Sequence, residues 1–315
     1  MIIKLIPILF LCSLCYFTHA QDELPRVIVS TDIGGSDPDD FQSMVHFLVY
    51  ADRFHIEGLI SSPPHNGRIE HIHEAIATYT IDYQKLKQHG KFPSPKKLLK
   101  VTKQGATGPQ TTMNPEKLSE GAEWIIKQAL KKNDNPLYIL VWGSITDVAQ
   151  AVHHEPIIKE KIRVYYIGSW NTKQDSLSRN YLFNNHPDLW WIENNSTFRG
   201  MYMGGEQGDD LGNLSFVEHN VKNYGALGKL FWEQKKDIKM GDTPSVLYLL
   251  HGNPAIPEGE SWGGAFVKTP HGANYWTDDT NKILIENNRP GAKTVNKWRK
   301  DYLTDWKKRM QWLKK

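Results

Sequence analysis

Short apolar runs alternate with longer helical patterns through the first half of this 315-residue sequence, and the alternation restricts the fold strongly. The apolar runs, rich in β-branched and aromatic residues, occupy residues 26–30, 54–61, 137–142 and 162–168. Runs of this kind are typical of parallel strands buried on both faces. The helical patterns between them occupy residues 39–50, 68–88, 115–131 and 144–153. The sequence therefore predicts an α/β fold with a doubly wound, mostly parallel sheet.

The ligands of such sheets bind beyond the carboxyl ends of the strands, so the strand-to-helix loops should carry the chemistry. After about residue 200 the pattern gives way to Gly-rich and aromatic segments, with helices predicted at 220–234 and 242–250. We expect these C-terminal segments to form long loops over the site. A last helical pattern, residues 295–313, has an aromatic stripe that we expect to pack on the sheet rather than on a membrane.

The first twenty residues have the pattern of a cleaved secretory signal peptide, with Lys4 before an apolar run over residues 5–17. That run is shorter than the roughly 20 residues of a spanning helix, so no stable membrane insertion is expected. Cys12 and Cys15, the two cysteines of the chain, would leave with the peptide. We expect a secreted or periplasmic protein whose residues 21–315 form one domain.

Without Lys4, 37 basic residues stand against 35 acidic ones, and this near-balance gives no electrostatic case for binding nucleic acid or an anionic membrane. The partners that remain are small-molecule glycosides and neutral glycans. Eleven tryptophans offer flat rings for sugar faces, although most of them are expected in the core. The sequence leaves both a monomer and a homo-oligomer open.

The segment after the first strand is the most informative one, because four carboxylates, Asp32, Asp37, Asp39 and Asp40, crowd a single turn. Carboxylates this close raise one another's pKa unless a cation neutralises them, and a dense set of oxygen ligands favours Ca²⁺ or Mg²⁺ over Zn²⁺. Alternatively, Asp39 and Asp40 complement a helix dipole, worth about 0.3–1 kcal/mol each. That alternative leaves Asp32 unexplained.

Two other acidic motifs do not fit the spacing. A haloacid-dehalogenase-type phosphatase needs Asp two positions after Asp32, where Gly34 stands. An EF-hand loop beginning at Asp37 needs Gly and Glu where Gln42 and Leu48 stand.

The acidic turn, residues 31–40, together with residues 56–60, resembles the signature of the inosine-uridine nucleoside hydrolase superfamily. The longer form found here is similar to one branch, described as a cellulose-binding, nucleoside hydrolase-like domain of unknown function. Three further segments carry the resemblance: residues 142–147, 184–191 and 241–245. The resemblance implies a nucleoside hydrolase-like fold with a calcium site.

By position, the resemblance implies these calcium ligands: Asp32, Asp39 or Asp40, the backbone carbonyl near Thr146, and Asp242. Asp37 belongs to an insertion, so the motif leaves open whether Asp37 or Asp39 completes the sphere. Asp242 also suits a helix N-cap, since Thr243 and Pro244 follow it, and the resemblance favours the ligand.

Hydrolysis of a glycosidic bond to a five-membered sugar needs a nucleophilic water and a route for the leaving group. The resemblance assigns Asp32 as the base that takes the proton of that water. Nucleobase-cleaving members of the superfamily carry a His before the distal Asp, and here that position is Gly241. His65, in the loop after the second strand, is the substitute that we expect on the leaving-group side.

Substrate contacts are expected from Asn171, Asn180 or Asn184, which follow the fourth predicted strand, with Asn184 preferred. Trp170 and Trp262, in apparent loops, are the candidates for stacking on a sugar or base. For both tryptophans, packing under a long loop is an equally good interpretation. The leading hypothesis is a calcium-dependent hydrolase of N- or O-glycosides of a furanose. The alternatives are a calcium-dependent carbohydrate-binding domain on the same fold and a structural protein with a vestigial site.

Overall fold

The computed structural model describes residues 24–35, 37–62, 68–108 and 118–314. The predicted signal peptide and the loop that carries His65 lie outside these residues. The strands are β1 (Arg26–Thr31), β2 (His55–Ser61), β3 (Thr102–Gln104), β4 (Leu137–Val141), β5 (Ile162–Ile167), β6 (Trp191–Asn194), β7 (Phe266–Lys268) and β8 (Tyr275–Asp278). The helices are α1 (Asp39–Val49), α2 (Ile69–Leu86), α3 (Pro95–Val101), α4 (Glu120–Ala129), α5 (Thr146–His154), α6 (Trp170–Gln174), α7 (Ser176–Asn185), α8 (Asn213–Asn220), α9 (Gly225–Gln234), α10 (Thr243–Leu250), α11 (Ala292–Asn296) and α12 (Arg299–Gln311).

The eight strands form one sheet in the order β3-β2-β1-β4-β5-β6-β8-β7, and every pair is parallel except β7 with β8. The chain leaves β1 toward β2 and β3 on one side, then returns to β4 and continues outward on the other. The order therefore reverses between β1 and β4, and a crevice opens where their following loops diverge. The predicted doubly wound, mostly parallel α/β fold is confirmed.

Apolar side chains cover both faces of the sheet. The larger core cluster joins one face to α1, α2, α9, α10 and α12, and the smaller one joins the other face to α4 and α5. The aromatic stripe of the last helical pattern is buried, as expected, with Trp306 and Met310 fully inside. Within the described ranges, no helix is both long and apolar enough to cross a membrane.

Several elements differ from the sequence expectation. The predicted helix at 220–234 begins later, as α9 at Gly225, because α8 ends at Asn220 and the chain turns before Gly225, whose φ is +68°. The last helix is divided, into α11 and α12. The sequence missed α7 and β6 because their residues are rich in Asn and Trp and show no clear period.

Arg299, the first residue of α12, is fully buried and holds the chain that follows β6. Its guanidinium donates to the carbonyl oxygens of Met201 and Leu211 and, at 2.7 Å, to Oδ1 of Asn213. These bonds satisfy a buried cation with neutral acceptors and fix the loop between β6 and α8 to the C-terminal helix.

Candidate functional site

The acidic turn after β1 is shaped by backbone hydrogen bonds that its small residues permit. The amide of Gly35 donates to the carbonyl of Asp32 at 2.8 Å, and the amide of Ile33 donates to the hydroxyl of Thr31 at 3.1 Å. Gly34 has φ +85°, a left-handed conformation that favours glycine. The turn brings Asp32 to the end of β1 and starts α1 at Asp39.

Gly143, just after β4, lets the neighbouring loop approach this turn closely. A Cβ atom at position 143 would lie 2.7 Å from Cβ of Asp32 and 2.8 Å from its backbone nitrogen. Such contacts are shorter than real Cβ atoms allow, so the two loops at the crevice can pack this way only around a glycine.

Three carboxylates converge at the crevice from two helices. Asp39 and Asp40 occupy the first turn of α1, Asp242 precedes α10, and each offers an oxygen within 4.8 Å of the others. Asp40 and Asp242 are buried, and Asp39 is half-buried. Asp242 stands at the N-cap position, yet its side chain makes no capping hydrogen bond to α10. Its carboxylate points to the cluster, which favours the ligand interpretation over the cap.

The neighbours of the cluster are hydroxyl groups. Thr31 donates a short hydrogen bond to Asp40, and Ser43 lies 3.4 Å from Oδ2 of Asp242. The hydroxyl of Ser245 donates to the carbonyl of Asp242 at 2.7 Å and receives the indole N–H of Trp142 at 2.8 Å. The hydroxyls of Thr31 and Ser43 therefore orient two of the carboxylates without neutralising them, and Ser245 fixes the backbone of Asp242.

Burial and mutual repulsion disfavour ionisation of the cluster. Burial raises the pKa of Asp39 to about 8, helped by the charges of Asp37 and Asp32 and opposed by Lys239. Burial also raises the pKa of Asp40 and of Asp242 well above the usual range, with the charge of Asp32 contributing to both. Carboxylates in this condition are the ones that a bound cation would relieve.

A divalent, hard cation fits this donor set. The oxygens come from three convergent carboxylates with Asp32 beside them, the ligand type that Ca²⁺ and Mg²⁺ prefer. Asp37, by contrast, is exposed and forms an ion pair with Lys239 at 2.6 Å. The motif left open whether Asp37 or Asp39 completes the site. The structure favours Asp39, because Asp39 converges with the other carboxylates and Asp37 already has a cationic partner.

The cluster opens into a cavity of about 390 Å³, a size typical of small-ligand sites. Its lining includes the carboxylates Asp32, Asp37, Asp39, Asp40 and Asp242. The other lining residues are Trp142, Ile167, Gly168, Ser169, Trp170, Asn171, Phe198, Arg199, Tyr202 and Lys239. We call Asp32, Asp39, Asp40 and Asp242 the acidic side, and Phe198, Arg199 and Tyr202, which follow β6, the β6 wall.

Two of the residues expected to bind substrate lie in this cavity. Trp170 is 58% exposed at the start of α6. Asn171 is buried beside it, and its Nδ2 donates to the carbonyls of Trp142 at 2.6 Å and Ile167 at 3.0 Å. Asn171 thereby ties the loop after β5 to the loop after β4.

Three other expected site residues do not line the cavity. Asn184 is exposed near the end of α7, and the half-buried Trp262 is stacked on His251 at 4.8 Å and packs against the larger core cluster. Thr146, whose neighbouring backbone carbonyl was expected to bind the ion, is absent from the cavity lining, and its hydroxyl forms a short hydrogen bond to Asp175. The residue of its segment that reaches the cavity is Trp142, at the end of β4.

Sequence reasoning missed the β6 wall and the roles of Trp142 and Lys239. The wall follows β6, the strand that the sequence pattern did not reveal, so its loop could not be placed at the crevice. The signal available was the apolar run over residues 189–192, directly after a polar helical stretch. Gly241 lies between the acidic side and the β6 wall. A Cβ atom at this position would be 3.1 Å from Oδ2 of Asp39 and 3.2 Å from the ring of Phe198.

Residues 26–266 match the family model described as "Cellulose-binding Sde182, nucleoside hydrolase-like domain". The chain belongs to this family. The match includes every residue of the acidic side and of the β6 wall. Membership in this nucleoside hydrolase-like family confirms the branch that the acidic turn indicated. A search of curated proteins gave no match.

Solved structures share the fold of the family. A nucleoside hydrolase-related protein from Saccharophagus degradans, associated with carbohydrate metabolism, is 24% identical, with a TM-score of 0.74. The alignment covers 92% of this chain and 72% of that one. An inosine-uridine preferring nucleoside hydrolase from Bacillus anthracis is 14% identical, with a TM-score of 0.53 over 90% of this chain and 99% of that one. A plant nucleoside hydrolase is 12% identical, with a TM-score of 0.52 over 91% and 99%.

Proposed function

We propose that this chain is an exported, calcium-dependent hydrolase of N- or O-glycosidic bonds to a furanose-type sugar. The observation that carries the proposal is the convergence of Asp39, Asp40 and Asp242, with oxygens within 4.8 Å of one another, in a cavity that Asp32 also lines. The family's nucleoside hydrolase-like fold supports the reaction class.

Asp39, Asp40 and Asp242 would hold the ion, with Asp32 beside them. We infer Ca²⁺ rather than Mg²⁺, because Mg²⁺ usually keeps several waters and uses only one or two carboxylates. When bound, the cation would anchor vicinal sugar hydroxyls and favour ionisation of a water.

The side chains supply the remaining chemistry. The Asp32 carboxylate takes a proton from the water that attacks the anomeric carbon, and the bond to the leaving group breaks with its electron pair. Positive charge develops on the sugar in the transition state, and the acidic side stabilises that charge. Both amide hydrogens of Asn171 are used on backbone carbonyls, so Asn171 can offer a sugar hydroxyl only its Oδ1. The exposed ring of Trp170 can stack on a sugar or base.

A second candidate is a calcium-dependent carbohydrate-binding domain without catalysis. The family description, which names cellulose binding, favours this alternative. In that case the same carboxylates hold the ion and the sugar hydroxyls, and no water is activated. The described residues that line the cavity include no histidine. His65, which lies outside the described residues, is the group that we propose for the leaving-group side.

The proposal of export rests on the N-terminal sequence alone. Lys4 and the apolar run that follows it have the form of a secretory signal, so the processed protein would act in the periplasm or outside the cell.

Calorimetric titration of metal-stripped protein with Ca²⁺, combined with assays on aryl furanosides and nucleosides, tests the proposal. The key variant is Asp32→Asn, which keeps the size of the side chain and removes the base. Asp134→Asn, an exposed Asp far along the sequence from the acidic turn, is the matched control. We expect calcium-dependent sugar release by the wild type and by the control, and none by Asp32→Asn.

The outcomes separate the candidates. Calcium binding without turnover of any furanoside, together with retention on cellulose or another glycan, would replace the hydrolase with the binding domain. Absence of calcium binding in the wild type would refute the metal assignment and both candidates with it.

A further inference from the structure

The cavity contains two cations with different partners. Lys239 is paired with Asp37 at 2.6 Å, and its charge lowers the pKa of Asp39, so Lys239 belongs electrostatically to the acidic side. Arg199 lies on the β6 wall and, within the described part of the chain, forms no ion pair with a carboxylate. Its terminal nitrogens donate to the carbonyl of Asn195 at 2.8 Å and to the hydroxyl of Ser169 at 3.0 Å.

Arg199 keeps most of its hydrogen-bonding capacity. The bonds to Asn195 and Ser169 use two of the five N–H donors of a guanidinium. The group is half-buried and stacks over the ring of Phe198 at 4.3 Å, which holds it in one place. A planar, fixed guanidinium with open donors matches phosphate and carboxylate groups, which it binds through two parallel hydrogen bonds.

The surroundings of Arg199 add positive charge and strain, and the acidic group that acts on it, Asp278, is already hydrogen-bonded to backbone amides. Burial lowers the pKa of Arg199, and so does the charge of Arg289. Asp278, the acidic group that also acts on Arg199, already accepts the backbone amides of residues 195–197. Ser169, which accepts the bond from Arg199, has φ 58° and ψ −105°, a conformation that costs a serine about 1–3 kcal/mol. Strain of this kind concentrates where a ligand is bound.

We propose that the ligand of this cavity is a glycoside that carries an anionic group, a phosphate or a carboxylate, which the Arg199 guanidinium binds while the acidic side holds the sugar. The proposal rests on the proposed function only in taking the ligand to be a glycoside. It narrows the substrate class from glycosides in general to glycosides that carry a negative charge. The pairing of an acidic side with a separate unpaired guanidinium would also orient the sugar in the cavity.

Binding measurements test this proposal without requiring turnover. Calorimetry on calcium-loaded protein compares two pairs of probes that differ in charge: ribose with ribose 5-phosphate, and glucose with glucuronate. We expect one anionic probe to bind at least about tenfold more tightly than its neutral partner, as charge-assisted hydrogen bonds imply. The pair that responds identifies the group as phosphate or carboxylate.

Three variants assign the preference to its residue. Arg199→Gln should abolish the preference, Arg199→Lys should keep part of it, and Arg53→Gln, which removes an exposed arginine from another element, should leave it intact. If the glutamine variant does not fold, as thermal unfolding would reveal, the lysine variant alone must still weaken the preference.

Equal binding of the neutral and anionic probes by the wild type would overturn the proposal. A preference that survives in Arg199→Gln would overturn it as well, because the anion would then be bound elsewhere, for example by calcium itself. If no assay detects hydrolysis but the preference for the anionic probe still depends on Arg199, the proposed hydrolase is refuted and this inference stands.

Discussion

The acidic side and the β6 wall line the same cavity but are encoded differently. The acidic side comes mainly from one short segment, in which β1, a tight turn and the start of α1 follow within residues 26–40. The β6 wall comes from a loop that only long-range packing, including the bonds of Arg299, brings to the crevice. A local motif can therefore specify the acidic side, whereas the β6 wall of the same cavity depends on the whole fold.

The largest expected effect is on the acidic side. Asp242→Asn should weaken calcium binding by more than about 100-fold, since loss of a ligand costs at least as much as loss of its support. The same change should raise the Tm of the metal-free protein near neutral pH, because it removes a buried carboxylate from a repelling cluster. Calorimetry and thermal unfolding with a chelator measure the two effects. A lower Tm in the metal-free variant would show that the cluster is not repulsive.

A smaller effect is expected at the loops after β4 and β5, which lie between the two regions in the strand order. Asn171→Ala removes the donor to the carbonyls of Trp142 and Ile167, which should cost about 1–3 kcal/mol of stability. The matching change Asn184→Ala, on the exposed face of α7, should stay within about 0.5 kcal/mol. Urea unfolding at constant calcium compares the two. A larger loss from Asn184→Ala would contradict the placement of both residues.

A variant of Trp170 tests whether substrate binding at this end of the cavity is independent of calcium binding. Trp170→Ala should raise KM by roughly tenfold, at the low end of what stacking on an aromatic ring contributes, and leave calcium affinity unchanged. Trp262→Ala, whose ring is stacked on His251 outside the cavity lining, should leave KM unchanged. Steady-state kinetics on the best aryl glycoside decides between them, and an effect of Trp262 alone would reverse the assignment.

The last expected effect, a shift of several degrees in Tm, concerns pH. Because the pKa of Asp39 is raised to about 8 in the folded state, the folded protein binds more protons than the unfolded one between about pH 4 and 8. Its stabilising contribution is complete below the unfolded pKa and is lost as pH rises through 8. We therefore expect the Tm of metal-free protein to fall from pH 5 to pH 8, and calcium to remove most of that slope. A metal-free Tm independent of pH would contradict the electrostatic description.

The fold was predictable because its central strands are apolar runs with helices between them, and this alternation is visible in the sequence without any tertiary contact. The same holds for Asp39 and Asp40, which adjoin in sequence, and for Asp242, which the family resemblance supplied. Asn184 was expected in the site because it follows the fourth predicted strand, and Trp262 because it lies in an apparent loop, but the position of a side chain relative to the cavity depends on how its segment packs. Arg199 gave no signal at all, since an arginine after an unrecognised strand resembles any surface cation.

The bonds of Arg299 have a consequence for how this domain can be divided. The family match ends at residue 266, yet the residue that fastens the loop bearing Tyr202 lies 33 positions beyond it, in α12. A fragment cut at the limit of the match would retain every carboxylate of the acidic side and lose the residue that holds the β6 wall in place. The unit that is recognisable by sequence is therefore smaller than the unit that must be transferred to another protein to keep the cavity complete.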